Sequence, residues 1–294
     1  MKWRYTIRLR LAGIWPLVLV LSLSVCMGAI AQQNPPPLAR AHAHNDYLHE
    51  HPLLDALSYG FCSVEADIHL VAGDLLVAHD AADVQPGKTL QALYLDPLRA
   101  RIQENNGLVY TGGPPFTLLI DIKTAAETTY MALHQVLTGY GDILTTYGRE
   151  GVIRQGPVTV IVSGNRPRSL MAGQAIRYAA YDGRLEDLGT NPGFIPLVSD
   201  NWKNLFTWRG QGAIPQADSQ KLRQIIALAH ASGQRVRFWA TPDDPGPARD
   251  AVWQALWEAG ADLINTDHLA DLQRFILQRT GQKTLQSPDP GGRP

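Results

Sequence analysis

Carboxylates recur at short, regular spacing in the first half of the chain. Glu65 and Asp67 alternate within the run SVEADIHL, and Asp121 stands in the run LLIDIKT. Alternate residues of a strand point to one face, and ionised side chains are costly in an apolar strand unless they are paired or bind a metal. Three carboxylates that meet at one place predict one divalent cation, and an all-oxygen ligand set favours Mg²⁺ or Ca²⁺ over Zn²⁺.

Histidines and a lysine flank these carboxylates. His44 follows the first apolar run, and His79 follows a short apolar run after the second. This pattern predicts a general acid and a general base on either side of the cation. Lys123, two residues after Asp121, is predicted to hold a phosphate oxygen. His42 lies two residues before His44 on the same face, and we expect His44 to be the catalytic one of the two.

Other polar and aromatic residues also fall at predicted strand ends. Asn45, beside His44, and Trp239, on the seventh predicted strand, are assigned to substrate binding. Packing is the other interpretation of Trp239. Residues 265–267, which follow the eighth predicted strand, either cap the last helix or touch the site.

Short β-rich runs alternate with longer helical patterns through the chain. Alternation of this kind predicts a parallel sheet, and eight strands in about 250 residues match a single TIM-type (β/α)8 barrel. A doubly wound open sheet is the alternative, and the run near residue 180 is the weakest strand. The predicted strands are Leu38–His44, Cys62–Leu70, Thr117–Lys123, Val158–Gly164, Tyr178–Asp182, Ile195–Asp200, Arg235–Ala240 and Asp262–Thr266. The predicted helices are Pro52–Tyr59, Thr89–Glu104, Ala125–Leu144, Arg166–Gln174, Ser219–Ala231, Pro247–Ala259 and Leu269–Arg279.

The two ends of the chain lie outside this pattern. A basic lead, an apolar stretch over residues 11–25 and the string AIA occur in the order of a cleaved signal peptide, assigned to residues 1–31. A membrane anchor is the other interpretation, but the apolar stretch is shorter than the roughly 20 residues that a span needs. Residues 32–37 are a predicted linker, 38–281 the barrel and 282–294 a disordered tail. We therefore expect an exported protein, periplasmic or secreted, without a stable membrane span after cleavage.

The charge balance excludes one class of partner. Removal of the predicted leader takes four of the 26 basic residues and leaves 22 against 27 acidic ones, a net charge of −5. The basic residues are also dispersed, so no nucleic-acid footprint is present. The expected partner is a small-molecule or lipid phosphodiester, and no oligomeric state is predicted.

The spacing of these groups resembles a known signature. Glu65-x-Asp67, with His79-Asp80 beginning 14 residues after Glu65, resembles the phosphatidylinositol phospholipase C-like phosphodiesterase superfamily. That superfamily includes glycerophosphodiester phosphodiesterases and the sphingomyelinase D toxins. Longer strings across residues 40–270 resemble the narrower "altered inheritance of mitochondria" phosphodiesterase-like family. These strings are HAHNDY, PLLDAL, SVEADIHL, LLVAHD, LYLDPL, LLIDIKT, VSGNRP, VRFWATPDD and LINTDHL.

The resemblance implies a metal-dependent phosphodiesterase that uses two histidines for acid–base catalysis, through a cyclic phosphate. The substrate would be a lipid headgroup or a glycerophosphodiester-like compound. The superfamily's residues carry over as metal ligands onto Glu65, Asp67 and Asp121, as catalytic histidines onto His44 and His79, and as the third-strand lysine onto Lys123.

The sequence departs from the glycerophosphodiesterases at two of these places. They carry His-Arg-Gly after the first strand and Glu-Ile-Lys on the third, whereas this chain has His44-Asn45-Asp46 and Asp121-Ile122-Lys123. The aspartate form is closer to the sphingomyelinase D group. The substrate is therefore not carried over from the glycerophosphodiesterases.

Two alternatives compete with this function. His42-x-His44 is also the first-strand metal pair of an amidohydrolase-type barrel, but such sites need further histidines on middle strands, and Tyr178–Asp182 and Ile195–Asp200 have none. The second alternative is a catalytically inactive barrel that binds phospholipid headgroups or an export partner. A turnover assay with and without a chelator separates these alternatives.

Overall fold

The computed structural model describes residues 35–281. The predicted leader, the predicted tail and residues 32–34 of the predicted linker lie outside the described residues. Within the described range, no helix is both long and apolar enough to cross a membrane.

Eight parallel strands follow one another around a closed sheet. Each strand pairs with its neighbour in the chain, and a parallel bridge between Arg237 and Leu263 joins the seventh strand to the eighth. The single TIM-type barrel is therefore confirmed, and each predicted strand lies within two residues of an observed one. The strands are β1 Leu38–Ala43, β2 Phe61–Val71, β3 Phe116–Ile122, β4 Val158–Gly164, β5 Ala180–Gly183, β6 Leu197–Asn201, β7 Arg235–Trp239 and β8 Ile264–Thr266.

Helices connect the strands around the barrel. The helices are α1 Leu54–Ser58, α2 Asp96–Glu104, α3 Ala126–Thr138, α4 Arg168–Gly173, α5 Trp202–Leu205, α6 Gln216–Ala231, α7 Pro247–Ala259 and α8 Leu269–Thr280. A π-helical turn at Gln91–Leu95 precedes α2, and 3₁₀ turns lie at Asp46–Leu48, Ala81–Asp83 and Leu185–Asp187.

Two helix boundaries differ by three residues or more from the sequence prediction, in addition to the π-helical turn that replaces the start of the helix predicted from Thr89. Helix α3 ends six residues early, at Thr138 instead of Leu144, because glycines follow and Leu144 pairs with Val158 of β4 instead. Helix α6 begins at Gln216, directly after Pro215, instead of at Ser219. Asp218 therefore lies inside the first turn of α6, where its carboxylate accepts the backbone N–H of Trp208 at 3.1 Å.

Three short elements were not predicted from the sequence. A four-residue strand, Asp74–Val77, returns antiparallel to the end of β2. A two-stranded ribbon pairs Thr146–Tyr147 with Val152–Arg154, and α5 has only four residues. Elements this short show too few repeats for a sequence period to be recognised.

Alternation along the strands sorts side chains between the outside and the inside of the barrel. Leu118 and Ile120 of β3 pack in the main core with the helices, whereas Leu119 belongs to a separate small cluster. That inner cluster consists of Leu119, Tyr147, Ile161, Ala180, Leu197 and Leu263. Asp121 has the same parity as Leu119, so its side chain points into the barrel, one layer nearer the C-terminal ends of the strands.

A polar layer lies above this apolar layer. The strand register places Asp67, Asp121 and Ser163 side by side on three neighbouring strands. Ser163 in turn hydrogen-bonds Asp182 of β5 at 2.7 Å. Polar side chains thus gather at the C-terminal ends of the strands, which is where barrel enzymes place their active sites.

Candidate active site

Three carboxylates converge inside the mouth of the barrel. Glu65, Asp67 and Asp121 each offer a ligand oxygen, and these atoms lie within 4.8 Å of one another. Glu65 is 6% exposed and Asp67 1% exposed, so water screens them little. The barrel therefore brings together the three acids that the sequence assigned to a metal.

Two basic side chains contact this cluster. Lys123 places Nζ 2.9 Å from Asp67 Oδ2 and 3.1 Å from Asp121 Oδ1. Arg237, from β7, contacts Glu65 through Nη2 and donates from Nε to Asn265 Oδ1 at 2.8 Å. Sequence reasoning missed Arg237, although a charged residue at alternate spacing in RVRFW signals an inward position.

The surroundings drive the pKa values of the acids apart. Burial would raise the pKa of Glu65, but the Arg237 guanidinium and a hydrogen bond from His42 hold it well below its usual range. Burial and the neighbouring Glu65 charge raise the pKa of Asp67 to about 6. Burial likewise raises the pKa of Asp121. The raised pKa values mean that the ionised forms of Asp67 and Asp121 are unfavourable here. An additional positive charge at the site would stabilise both ionised forms.

One orphan oxygen tests whether a cation fits. Asp67 Oδ1 is buried and has no hydrogen-bond partner among residues 35–281. A buried acceptor without a partner is costly, and hard cations such as Mg²⁺ and Ca²⁺ bind carboxylate oxygens. The donor set of Glu65, Asp67 and Asp121 therefore fits a divalent cation.

The two histidines of the first strand differ in accessibility. His42 is fully buried: its Nδ1 lies 2.7 Å from Ser63 Oγ and its Nε2 3.3 Å from Glu65 Oε2. Burial and nearby Arg237 lower the pKa of His42 to about 3. His42 is therefore a neutral ring that holds Glu65 from below.

His44 instead faces the mouth. Its side chain is 30% exposed, and Nδ1 lies 2.9 Å from Asp267 Oδ1 and 2.9 Å from Asn45 Nδ2. One ring nitrogen can either donate to Asp267 or accept from Asn45, so the tautomer decides between these partners. Partial burial opposes the charged ring, but the hydrogen bond to Asp267 outweighs it and raises the pKa of His44. The sequence allowed two roles for Asp267, a cap of the last helix or a residue of the site. In the structure, Asp267 contacts the candidate catalytic histidine.

Asp267→Asn is expected to lower the pKa of His44. The substitution keeps the size of the side chain but removes the carboxylate that favours the charged imidazolium. Histidine NMR titration measures the change. His230, which lies 2.9 Å from Asp262, is the internal control, because the substitution does not touch that pair. An unchanged titration of His44 would contradict the proposed pairing.

His79 lies at the edge of the cluster. The short strand Asp74–Val77 runs back along β2 and so carries His79 to this edge. Ala78, which lies between the strand and His79, donates its N–H to the Asp67 carbonyl at 3.2 Å. The imidazole itself is 55% exposed, with Nδ1 3.3 Å from Asp80 Oδ2. Among the described residues it contacts none of the three carboxylates. The backbone of His79 therefore lies near Asp67, whereas its imidazole ring faces solvent.

Tyr47 links the loop after β1 to the cluster. Its hydroxyl lies 2.8 Å from Asn45 Oδ1 and 2.7 Å from Asp67 Oδ2. Asn45 adopts a left-handed backbone with φ 47°, a conformation that asparagine tolerates better than most residues. Asn45 is therefore held between His44 and Tyr47. Sequence reasoning did not single out Tyr47, although it ends the string HAHNDY.

Asp46 anchors the same loop from below. It is fully buried, and its Oδ2 accepts the Leu53 backbone N–H at 2.6 Å and the Tyr94 hydroxyl at 2.9 Å. Burial raises the pKa of Asp46 to about 7. Leu53 has φ 64°, and the hydrogen bond from its N–H offsets part of that backbone strain.

Trp239 lies on β7, two strands from β1 around the closed sheet. It follows Arg237 by two residues, so it shares the inward parity, and it pairs in register with Asn201 of β6. Its side chain is half-buried.

The barrel and its mouth, with carboxylates, a lysine and a histidine–aspartate pair, are typical of TIM-barrel enzymes.

Comparisons with known proteins give the family. The AIM6-like phosphodiesterase domain matches residues 35–182, and the glycerophosphoryl diester phosphodiesterase family matches residues 235–270. Altered inheritance of mitochondria protein 6 of Eremothecium gossypii is 31% identical over 83% of this chain and 71% of that protein. Its homolog in Arthroderma benhamiae is 30% identical over 77% of this chain and 80% of that protein. The chain belongs to the AIM6-like phosphodiesterase family.

Two solved structures resemble the chain more distantly. Phosphatidylinositol-specific phospholipase C from Listeria monocytogenes is 8% identical, with a TM-score of 0.45 over 83% of this chain and 93% of that one. A glycerophosphoryl diester phosphodiesterase from Parabacteroides distasonis is 13% identical, with a TM-score of 0.49 over 88% of this chain and 90% of that one. The fold assignment rests on the strand order of this chain.

The prediction of an exported protein is wrong. The relatives are fungal proteins named for altered inheritance of mitochondria, a name that refers to an organelle and not to the periplasm or the medium. Residues 1–31, on which the prediction of a signal peptide depended, lie outside the described residues. The basic lead and apolar stretch are a local composition pattern, and such a pattern does not by itself specify export.

Proposed function

We propose that this protein is a metal-dependent phosphoric diester hydrolase that acts on a small-molecule or lipid phosphodiester. The observation that carries the proposal is the convergence of Glu65, Asp67 and Asp121 within 4.8 Å, in a family of phosphodiesterase-like domains. Lys123 borders that cluster and His44 faces the same mouth, which supplies the groups that phosphoryl chemistry needs.

Glu65, Asp67 and Asp121 would hold one divalent cation, Mg²⁺ or Ca²⁺. Bound there, the cation supplies positive charge against the phosphoryl oxygens. The orphaned Asp67 Oδ1 supports this assignment. Lys123 reaches the cluster from the mouth, 27% exposed, and holds a phosphoryl oxygen by its ammonium group.

His44 and His79 perform the proton transfers in this proposal. His44 takes the proton from a hydroxyl of the substrate next to the phosphate, and the hydroxyl oxygen forms a new bond to phosphorus. The bond from phosphorus to the leaving oxygen breaks, and His79 donates a proton to that oxygen. The products are a cyclic phosphate and an alcohol, and water then opens the ring. The contact of His44 with Asp267 supports a fixed ring orientation for the base.

Asn45 and Trp239 complete the substrate contacts. Asn45 lies between His44 and Tyr47, so its amide is fixed beside the base. Trp239, on β7, offers a flat apolar surface to the alcohol portion.

A turnover assay with glycerophosphoethanolamine, followed by phosphorus NMR, tests the proposal. We expect hydrolysis that stops with a chelator, resumes with Mg²⁺ or Ca²⁺ and shows a cyclic phosphate before the final monoester. Turnover that continues unchanged in the presence of the chelator would contradict the metal requirement. Absence of turnover with either cation, combined with binding of phospholipid headgroups, would establish the inactive-barrel alternative.

A further inference from the structure

A guanidinium stands at the mouth of the barrel, two strands along the sheet from Asp121. Arg184 follows β5 and has the same parity as Asp182, so its side chain starts toward the barrel axis. Its Nη1 donates to Asp182 Oδ2 at 2.9 Å and to the Gly183 carbonyl at 2.8 Å. The side chain remains 24% exposed. Arg184 is thus fixed at one nitrogen and open to the mouth.

The groups beneath Arg184 fix its orientation. Asp182 is fully buried, and its Oδ2 also accepts the Ser163 hydroxyl at 2.7 Å. A buried carboxylate that is paired in this way holds its guanidinium partner in one place. Within residues 35–281, Nε and Nη2 of Arg184 donate to no further group. Those nitrogens are therefore available to a ligand.

Arg184 and Lys123 border one opening. Asp121, which binds Lys123, is in register with Ser163, and Ser163 bonds the same Asp182 that holds Arg184. Strands β3 and β5 are two strand spacings apart, about 10 Å. An anion bound by Arg184 would therefore face a phosphate at Lys123 across the mouth, from strands that lie about 10 Å apart.

We propose that Arg184 binds a second anionic group of the substrate, a carboxylate or second phosphate on the alcohol portion of the diester. This inference rests on the proposed function. Arginine suits the role because its planar fork donates two parallel hydrogen bonds to such oxygens. The β1–β3 side of the mouth then carries the chemistry, and Arg184 on the β5 side selects the substrate.

Two diesters that differ by one carboxylate test the inference. The measured quantity is the ratio of kcat/KM for glycerophosphoserine to that for glycerophosphoethanolamine, compared among the wild type, Arg184→Gln and Arg184→Lys. We expect the wild type to prefer the serine diester at least about tenfold, the usual minimum for a hydrogen bond to a charged group. Arg184→Gln should bring the ratio near one, mainly by raising KM for the serine diester, and Arg184→Lys should give an intermediate ratio.

Matched controls separate selection from folding. Arg223→Gln removes an exposed guanidinium on α6 and should keep the wild-type ratio. Thermal unfolding of each variant reports any loss of structure, and Arg184→Lys supplies the comparison if Arg184→Gln does not fold. Lysophosphatidylserine and lysophosphatidylethanolamine, which keep a free hydroxyl next to the phosphate, distinguish in parallel assays a lipid source of the carboxylate from a soluble one. A wild-type ratio at or below one, or an unchanged ratio in folded Arg184 variants, would overturn the inference.

Failure of the proposed function has a different signature. If the wild type hydrolyses neither diester, the hydrolase proposal fails, and calorimetric binding of glycerophosphoserine then decides about Arg184. Binding that is lost in Arg184→Gln and kept in Arg223→Gln supports an anion site. Equal binding by all three proteins overturns it.

Discussion

Asp67→Asn is expected to abolish both turnover and stabilisation by Mg²⁺ or Ca²⁺. The substitution removes one of three carboxylates around the proposed cation and replaces the orphaned Oδ1 with a group that carries no charge. Because a metal contributes several kcal/mol to stabilising phosphoryl charge, turnover should fall by about 10³ or more. A cation at about 100 times its Kd should raise the Tm of the wild type by roughly 5–10 °C and leave that of the variant unchanged.

The control for this substitution is Asp74→Asn. Asp74 is exposed at the start of the short strand after β2, so the same change of charge there leaves the cluster intact. Asp74→Asn should match the wild type in turnover and in its response to cations. If the melting temperatures of wild type and Asp67→Asn respond alike to Mg²⁺, Ca²⁺ and chelator, the carboxylate cluster is not a metal site.

His44→Ala is expected to reduce kcat by about 10²–10⁴, the usual contribution of a positioned proton-transfer group. The wild type should show a bell-shaped pH profile, because one histidine must be neutral and the other protonated. Since the bond to Asp267 raises the pKa of His44, the limb that reports His44 should move to lower pH in Asp267→Asn. Initial rates between pH 5 and 9 measure both effects.

Two other histidines serve as comparisons. His230→Ala breaks a histidine–aspartate pair of the same 2.9 Å length at a distant place and should leave the rate unchanged. His42→Ala should lower the Tm, because it deprives buried Glu65 of a hydrogen-bond partner. A His44→Ala enzyme with wild-type activity would remove His44 from the mechanism and return the choice to His42.

The sequence by itself determined the strands and the convergence of the acids. Strand positions were predictable because β-branched and apolar runs alternate with helical patterns, and each such signal is local. The spacing of Glu65 and Asp67 fixed their common face for the same reason. Register then brought Asp121 beside Asp67, as the succession of parallel strands required. The short strand Asp74–Val77 escaped prediction because four residues establish no period.

Only the tertiary structure decided which groups surround those acids. Arg237 meets Glu65 across 172 residues of chain, and Asp267 meets His44 across 223. Both contacts exist because the sheet closes and brings its last strands against its first. Closure of the sheet also buries His42 and leaves His44 at the mouth. The two histidines lie on one face of the same strand, so their spacing in the sequence does not show which one is buried. The burial of His42 and the pairing of Glu65 and His44 depend on the whole barrel. The spacing of residues along the chain therefore does not predict them.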